Sequence, residues 1–156
     1  MEFTETDKQY MGLALAEAEK ALISGEVAVG CAIVKDGAVL VCAHNKVKET
    51  GDLTAHAECL AIRSLSRYAL TGATLYVTLE PCPMCAGAIA LSGITRVVYG
   101  ASDPAYGCCG SVYRLTEDPA FPNFAKADGG CRAEECGELL TRSMKNARAK
   151  DKKEQA

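Results

Sequence analysis

The sequence has no long apolar run, no surplus of positive charge and no export signal. None of its apolar stretches approaches the roughly 18 residues that a membrane-spanning helix needs, so we expect no membrane span. Lysine and arginine total 17 against 20 acidic residues, a net charge of -3, so any polyanionic partner must be met by a local basic patch. The polar, acidic first ten residues lack the features of a secretory signal, and we therefore expect a cytoplasmic protein.

The composition is typical of one soluble globular domain. Apolar residues make up 49% and charged residues 24% of the 156 residues, which is enough chain to bury one core. No linker or internal repeat interrupts it, so we expect a single domain over residues 1–156 with about six frayed residues at its end. Without an export signal, the nine cysteines are expected to be reduced, and therefore buried, reactive or metal-bound.

Hydrophobic spacing predicts alternating helices and strands. The predicted helices cover residues 5–24, 54–68, 83–92 and 132–148, with a shorter one near 110–116. The predicted strands cover residues 27–34, 38–43, 73–79 and 94–100. Asp36-Gly37 between the first two strands is a strong hairpin signal. This order predicts an α/β fold in which helices cover both faces of a mixed sheet.

Two short motifs contain residues suited to a catalytic metal site. His56-Ala57-Glu58 stands at the start of one predicted helix, and Pro81-Cys82-Pro83-Met84-Cys85 stands at the start of another. Each motif follows an extended segment, and ligands collect where strand ends face helix N-termini. A C-x-x-C motif alone more often marks a redox or structural metal site. The co-occurrence of both motifs at strand-to-helix junctions favours a catalytic site instead.

These residue types match the ligands of catalytic zinc. Cys82 and Cys85 are three residues apart and share one helix face, and His56 would add a third ligand. Three protein ligands leave the fourth tetrahedral position to water, as in catalytic rather than structural sites. Glu58 would then act as general base and acid, provided that His56 lies in an irregular first turn, because positions i and i+2 diverge on a regular helix. We therefore predict one zinc ion per chain.

The pattern H-x-E…P-C-x-x-C is a signature of zinc-dependent nucleobase deaminases. Over roughly residues 5–140 the sequence resembles the bacterial tRNA adenosine deaminases of that superfamily. The resemblance is carried by residues 25–30 (GEVAVG), 44–45 (HN), 54–58 (TAHAE), 73–80 (ATLYVTLE), 85–88 (CAGA), 107–111 (GCCGS) after Asp103, and 134–136 (EEC).

The resemblance implies a fold, a reaction and a partner. The implied fold is the cytidine deaminase-like three-layer α/β/α fold with a central mixed five-stranded sheet. The implied reaction is hydrolytic deamination of adenosine to inosine at the wobble position of a tRNA anticodon, with Glu58 passing protons to the ring nitrogen and to the departing ammonia. The implied partner is a tRNA anticodon stem-loop that contacts both subunits of a homodimer.

The resemblance also assigns substrate contacts to six residues: Ala28, Val29, Asn45, Ala57, Glu80 and Asp103. The backbone N–H of Ala57 and the carbonyl of Glu80 would orient the water and the amino group. Asn45 would contact base and sugar, and Ala28 and Val29 would form a pocket wall. Ala28 stands where the family carries the proline of its E-V-P-V-G motif.

Other departures from the family pattern keep alternative functions open. Phe124 stands where the bacterial enzymes usually carry histidine, and residues 141–144 (TRSM) replace an aromatic F-F-R element; both regions help to hold RNA. A free nucleobase or nucleoside of the guanine, adenosine or cytosine type is therefore the alternative substrate. Residues 107–111 favour tRNA. A non-catalytic RNA-binding subunit is disfavoured because Glu58 is present.

Two further groups of residues lie outside these motifs. Seven cysteines are expected to be buried as small hydrophobic residues: Cys31, Cys42, Cys59, Cys108, Cys109, Cys131 and Cys136. The alternative for the last four is a second metal site. The basic residues near the C-terminus are Lys145, Arg148, Lys150, Lys152 and Lys153. They predict a solvated helix end, with phosphate contact as the alternative.

Overall fold

A computed structural model describes residues 2–155 of the chain and contains a five-stranded mixed sheet. The strands are β1 (Gly30–Lys35), β2 (Ala38–His44), β3 (Thr74–Leu79), β4 (Arg96–Ala101) and β5 (Lys126–Gly129). Their order across the sheet is β2-β1-β3-β4-β5. β1 pairs antiparallel with β2 and β3, whereas β3, β4 and β5 run parallel.

The helices that precede, connect and follow these strands differ widely in length. The helices are α1 (Glu5–Ile23), α2 (Val47–Thr50), α3 (Ala57–Arg63), α4 (Arg67–Leu70), α5 (Pro83–Ser92) and α6 (Ala133–Gln155), and a 3-10 turn spans Leu115–Glu117. No helix within residues 2–155 is long and apolar enough to cross a membrane.

Local signals explain where the first elements begin and end. A capping box starts α1: the Thr4 hydroxyl accepts from the Asp7 N–H, and the Asp7 carboxylate accepts from the Thr4 N–H. Asp36 and Gly37 both have positive φ, which a tight β1–β2 hairpin turn requires. Gly30 starts β1 under α1, where a Cβ atom would overlap the carbonyl of Ala14.

The sheet separates two cores, because successive strand residues point to opposite faces. On one face, Leu75 and Val77 of β3 belong to the cluster that contains Ala57 of α3 and Ile89 of α5. On the other face, Tyr76 packs in the cluster formed with α1 and α6. The predicted three-layer α/β/α fold with a mixed five-stranded sheet is therefore confirmed.

Several element bounds differ from the prediction. The helix predicted over 54–68 is two helices, α3 and α4, because Ser66 caps a new helix by accepting from the Ala69 N–H. The helix predicted near 110–116 is a turn followed by the 3-10 segment, since Gly110 has a φ of 151°. β5 is absent from the pattern-based strands because its sequence, KADG, is short and mostly polar.

The last helix is longer than predicted. α6 continues to Gln155 rather than ending near residue 148. Its final residues are good helix formers, and the Lys150 Nζ lies 3.9 Å from the Oε1 of Glu154, one turn later. Every side chain from Lys150 to Gln155 is exposed, so no tertiary contact holds this end. The fraying of the last residues stays a prediction.

The cysteines outside the two motifs are distributed through the fold. Cys108 and Cys109 are buried in the core beside α3 and α5, and Cys131 and Cys136 are buried in the core beside α1 and α6. The sheet therefore separates the four residues that a second metal site would have required, and the burial expected of small hydrophobic residues is confirmed for them and for Cys31. Cys42 and Cys59 are only partly buried, so the expectation is wrong for these two.

Candidate metal centre and substrate cleft

The two motifs start two helices in the same way. His56 is the N-cap residue of α3 and Cys82 is the N-cap residue of α5, and both have extended backbone conformations. Pro83 occupies the first position of α5, where a missing N–H costs nothing. The predicted irregular first turn at His56 is therefore confirmed, and it lets His56 and Glu58 line the same cleft.

Three donor atoms meet where these helices begin. The ligand atoms of His56, Cys82 and Cys85 all lie within 4.8 Å of one another. The His56 Nδ1 atom is 3.5 Å from the Cys82 Sγ and 3.6 Å from the Cys85 Sγ. Sulfur at about 2.3 Å and nitrogen at about 2.0 Å around a tetrahedral zinc ion lie about 3.6 Å apart. The donor set and its spacing thus fit zinc.

The three donor groups are hydrogen-bonded to one another and share protons. Hydrogen bonding with Cys85 and with His56 lowers the pKa of Cys82 to about 4, although burial opposes the change. Hydrogen bonding with Cys59 and Cys82, together with burial, raises the pKa of Cys85. Hydrogen bonding with Cys82 raises the pKa of His56. A metal needs two thiolates and a neutral imidazole, so it would replace the protons that these groups share.

Glu58 lies beside the donor group and is almost inaccessible to solvent. Its side chain lines the cleft, while the residue as a whole is 3% exposed. Burial raises the pKa of Glu58, and the neighbouring Cys82 adds to the rise. A buried carboxyl group beside the donor atoms is placed to take up and release protons, as a general acid–base catalyst must.

A cleft of about 880 Å³ opens in front of the donor group. Its lining consists of His56, Cys82 and the residues Glu26, Val27, Val29, Asn45, Val47, Lys48, Leu53, Ala57, Glu58, Leu79, Glu80, Pro83, Met84, Asp103 and Tyr106. Apolar walls with a few convergent polar groups are typical of small-molecule and base-binding pockets.

The cleft contains most of the residues assigned to substrate contacts. Val29, Asn45, Ala57, Glu80 and Asp103 all line it. These residues come from five different parts of the fold, and the strand ends and helix starts around the sheet bring them together.

Ala28 is not part of the cleft, and the prediction for it is wrong. It packs in the core beside α1 and α6, where its N–H donates to the Ser143 Oγ at 3.0 Å. Alternate residues of an extended segment point to opposite faces, so Val27 and Val29 face the cleft when Ala28 faces away. The alternation of side chains along an extended segment was the sequence signal that Val27 faces the same side as Val29.

The side chain of Glu80 has a function that the sequence did not suggest. The residue is 1% exposed, and its carboxylate accepts from the N–H groups of Asp103, Cys109 and Ser111 at 3.0–3.1 Å. Burial alone would raise the pKa of Glu80, but these hydrogen bonds and that of the Ser111 hydroxyl lower it. A Cβ atom at Gly107 would overlap this carboxyl group. Glu80 thus organises the loop that places Asp103 and Tyr106 at the cleft.

Glu26 holds the opposite side of the cleft in a similar way. Its buried carboxylate accepts from the N–H groups of Lys48 and Glu49, both at 2.8 Å, and so caps α2. This short helix follows Asn45, whose Oδ1 accepts from the Val47 N–H at 3.4 Å. The sequence signal for Glu26 was an acidic residue next to an apolar segment, within the GEVAVG stretch that carries the family resemblance.

Comparisons with known proteins agree with this site. Residues 4–101 match the family described as the cytidine and deoxycytidylate deaminase zinc-binding region, which includes both motifs. The tRNA-specific adenosine deaminase of Bacillus subtilis is 43% identical over 150 residues, 94% of this chain and 93% of that protein. The tRNA-specific adenosine deaminase of Aquifex aeolicus is 43% identical over 143 residues, 89% of this chain and 94% of that protein.

A solved structure gives the same result. It comes from a study of A-to-I editing by tRNA:A34 deaminases at the wobble position of transfer RNA. It superimposes with a TM-score of 0.78 at 40% identity and covers 84% of this chain and 98% of its own. The fold, the donor group and the family match agree: the chain belongs to the zinc-binding cytidine and deoxycytidylate deaminase family.

Proposed function

We propose that this protein is a zinc-dependent hydrolytic deaminase that converts adenosine to inosine at the wobble position of a tRNA anticodon. The observation that carries this proposal is the convergence of His56, Cys82 and Cys85 next to the buried carboxyl group of Glu58 in one cleft. The likeness to tRNA-specific adenosine deaminases over 94% of the chain supports tRNA rather than a free base as the substrate.

His56, Cys82 and Cys85 would hold one zinc ion per chain. Zinc bound there supplies a Lewis acid that makes water a nucleophile at neutral pH. The cleft beside the donor group leaves room for water and for a base. Because the three residues begin two packed helices, the fold sets their separation.

Glu58 moves the protons of the reaction. Its carboxylate takes a proton from the attacking water and passes it to the ring nitrogen of adenine, and a second transfer lets the exocyclic amino group leave as ammonia. Its raised pKa matches this alternation between base and acid. The cleft position of Ala57 and Glu80 allows the Ala57 N–H and the Glu80 carbonyl to orient water and amino group.

Asn45 and Val29 would place the base. The Asn45 Nδ2 donates to the Val27 carbonyl at 3.4 Å, which is long for an N–H···O bond. This weak contact leaves the amide available to base and sugar. Val29 adds an apolar wall, and Asp103 stands at the opposite edge. An anticodon loop can present an unstacked base, so the protein need not melt a duplex.

The same proposal covers assembly and location. We expect residues 1–156 to act as one domain within a cytoplasmic homodimer whose two subunits contact the anticodon stem-loop. A dimer would combine two local basic surfaces, which matters for a chain with a net charge of -3. Sedimentation of the purified protein with and without stem-loop RNA tests the dimer.

The decisive experiment measures inosine formation on an anticodon stem-loop that carries a wobble adenosine. The matched control is the same stem-loop with guanosine at that position, and parallel reactions contain free guanine, adenosine and cytosine. We expect inosine and ammonia with the adenosine stem-loop alone. Ammonia release from a free base without inosine in RNA would overturn the tRNA substrate and leave a small-molecule deaminase.

A further inference from the structure

Cys59 is a thiol next to the donor group that the proposed reaction does not use. It lies in the first turns of α3, and its Sγ is 3.6 Å from the Sγ of Cys85 in α5. Within residues 2–155, the three-donor group consists of His56, Cys82 and Cys85, whose ligand atoms are all within 4.8 Å of one another; Cys59 is not a member. Cys59 therefore contacts a metal ligand without completing the ligand set.

The two sulfurs differ in their access to solvent. Cys85 is completely buried, whereas Cys59 is only partly buried. A small oxidant would therefore reach Cys59 first. The sulfur atoms are in van der Waals contact, and a disulfide bond of about 2.05 Å would bring them roughly 1.5 Å closer. Side-chain rotation at a half-buried helix position can supply such a movement.

We propose that Cys59 and Cys85 are a redox modification site, at which peroxide forms a reversible disulfide that removes a zinc ligand. The proposal rests on the zinc site of the proposed function. Cys59 attacks peroxide, the O–O bond breaks, and sulfenic acid forms as one water leaves. The Cys85 sulfur then attacks the Cys59 sulfur, the S–O bond breaks, and a second water leaves. Because Cys85 is a thiolate while it holds zinc, one thiol, one thiolate, one proton from solvent and one peroxide thus give one disulfide and two waters.

The consequence for the metal follows from the ligand count. A disulfide sulfur is no longer a thiolate, and only thiolates bind zinc strongly. After oxidation the chain would offer only His56 and Cys82, and zinc would dissociate. Reduction by a dithiol would restore both thiols and the site. The disulfide thereby couples deamination to the redox state of the cell through a residue outside the ligand set.

The test follows zinc release and the crosslink, so it does not depend on activity. The zinc-loaded full chain is treated with hydrogen peroxide beside a chromogenic zinc chelator, and its unreduced tryptic peptides are mapped by mass spectrometry. Residues 49–63 contain Cys59 and residues 68–96 contain both Cys82 and Cys85, so fragmentation must assign the linked sulfur. We expect a Cys59–Cys85 crosslink, zinc release, and recovery of zinc binding after dithiothreitol and zinc are added.

Two variants make the test specific. In Cys59→Ser the crosslink should disappear and zinc release at equal peroxide should slow by about tenfold. Cys42→Ser, which changes another partly buried cysteine, should behave like the wild type. A Cys82–Cys85 crosslink, or wild-type zinc release from Cys59→Ser, would overturn the proposal. A protein that takes up no zinc contradicts the proposed function instead, and this is seen before peroxide is added.

Discussion

At the scale of single residues, the proposed catalytic role of Glu58 can be tested apart from metal binding. Its carboxyl group is buried in the cleft but is not one of the three donors. We expect Glu58→Gln to lower the rate of inosine formation by about 10²- to 10⁴-fold, because the proton carrier is removed. Zinc content should be unchanged. Single-turnover assays and metal analysis check this, with Glu49→Gln, an exposed acidic residue nearby, as the control. Loss of zinc from Glu58→Gln would contradict the role.

Ser143 and Ala28 provide a second test at this scale. Ala28 stands where the family carries a proline, and unlike proline it has a backbone N–H. This N–H is buried and donates to the Ser143 Oγ at 3.0 Å. Ser143→Ala would leave this donor unpaired, and we expect a loss of about 1–3 kcal/mol in the free energy of unfolding. In an Ala28→Pro background, which has no N–H, the same change should cost clearly less. Urea unfolding of the wild type, both single variants and the double variant measures these free energies. An equal loss from Ser143→Ala in both backgrounds would contradict the hydrogen bond.

The residues that sequence predicts best are those with fixed local spacing. His56, Cys82 and Cys85 can be found from the sequence because each belongs to a short motif with fixed spacing at the start of a helix. The sequence assigns Glu80 only a backbone role, because the partners of its carboxylate lie 23–31 residues away and leave no periodic signal. The predicted pocket role of Ala28 is wrong because a resemblance aligns residues but does not state which side of an extended segment each side chain faces.

At the scale of secondary-structure elements, a partly buried ion pair joins α1 to β4. The Asp7 carboxylate accepts from Arg96 Nη1 at 2.8 Å and from the Tyr76 hydroxyl at 2.8 Å. Burial alone would raise the pKa of Asp7, but these hydrogen bonds lower it from 3.8 to about 2. The stability that ionised Asp7 contributes is therefore complete above pH 3.8 and is lost as the pH falls toward about 2.

This linkage predicts the behaviour of Asp7→Asn. We expect the variant to lose about 2 kcal/mol of unfolding free energy at neutral pH, and we expect that difference from the wild type to shrink between about pH 4 and pH 2. Urea unfolding at several pH values measures it. Glu5→Gln, an exposed acidic residue in the same first turn, is the control. A difference that does not change with pH would show that Asp7 acts through packing alone.

Elements with strong local signals are predictable and weakly patterned ones are not. Asp36-Gly37 identifies the β1–β2 hairpin because that turn needs positive φ at both residues. β5 carries one buried residue, Asp128, and gains its place by parallel pairing with β4. Such long-range pairing leaves no mark in a four-residue sequence. The break between α3 and α4 escapes prediction because the apolar spacing continues across it, while Ser66 starts the new cap.

At the scale of the whole molecule, charge is distributed unevenly. Residues 145–155 hold five basic and two acidic side chains, whereas the chain as a whole carries -3. These basic residues lie on the exposed end of α6, a continuous helix to Gln155. The net charge of the whole chain therefore conceals a local basic segment, which is the kind of surface that phosphate binding requires.

The alternative to a solvated helix end is that this segment binds the phosphate backbone of the RNA substrate, and that alternative makes a testable prediction. Arg148→Gln/Lys152→Gln should weaken stem-loop binding and lower the slope of log affinity against log salt by about 0.7 for each phosphate that is no longer neutralised. Glutamine keeps the helix propensity, so α6 should persist. The control Lys20→Gln/Arg67→Gln removes the same charge from exposed positions elsewhere. Binding titrations at several salt concentrations decide between two outcomes. A lower slope in the α6 variant alone supports local phosphate binding, whereas equal losses of affinity in both variants mean that only net charge matters.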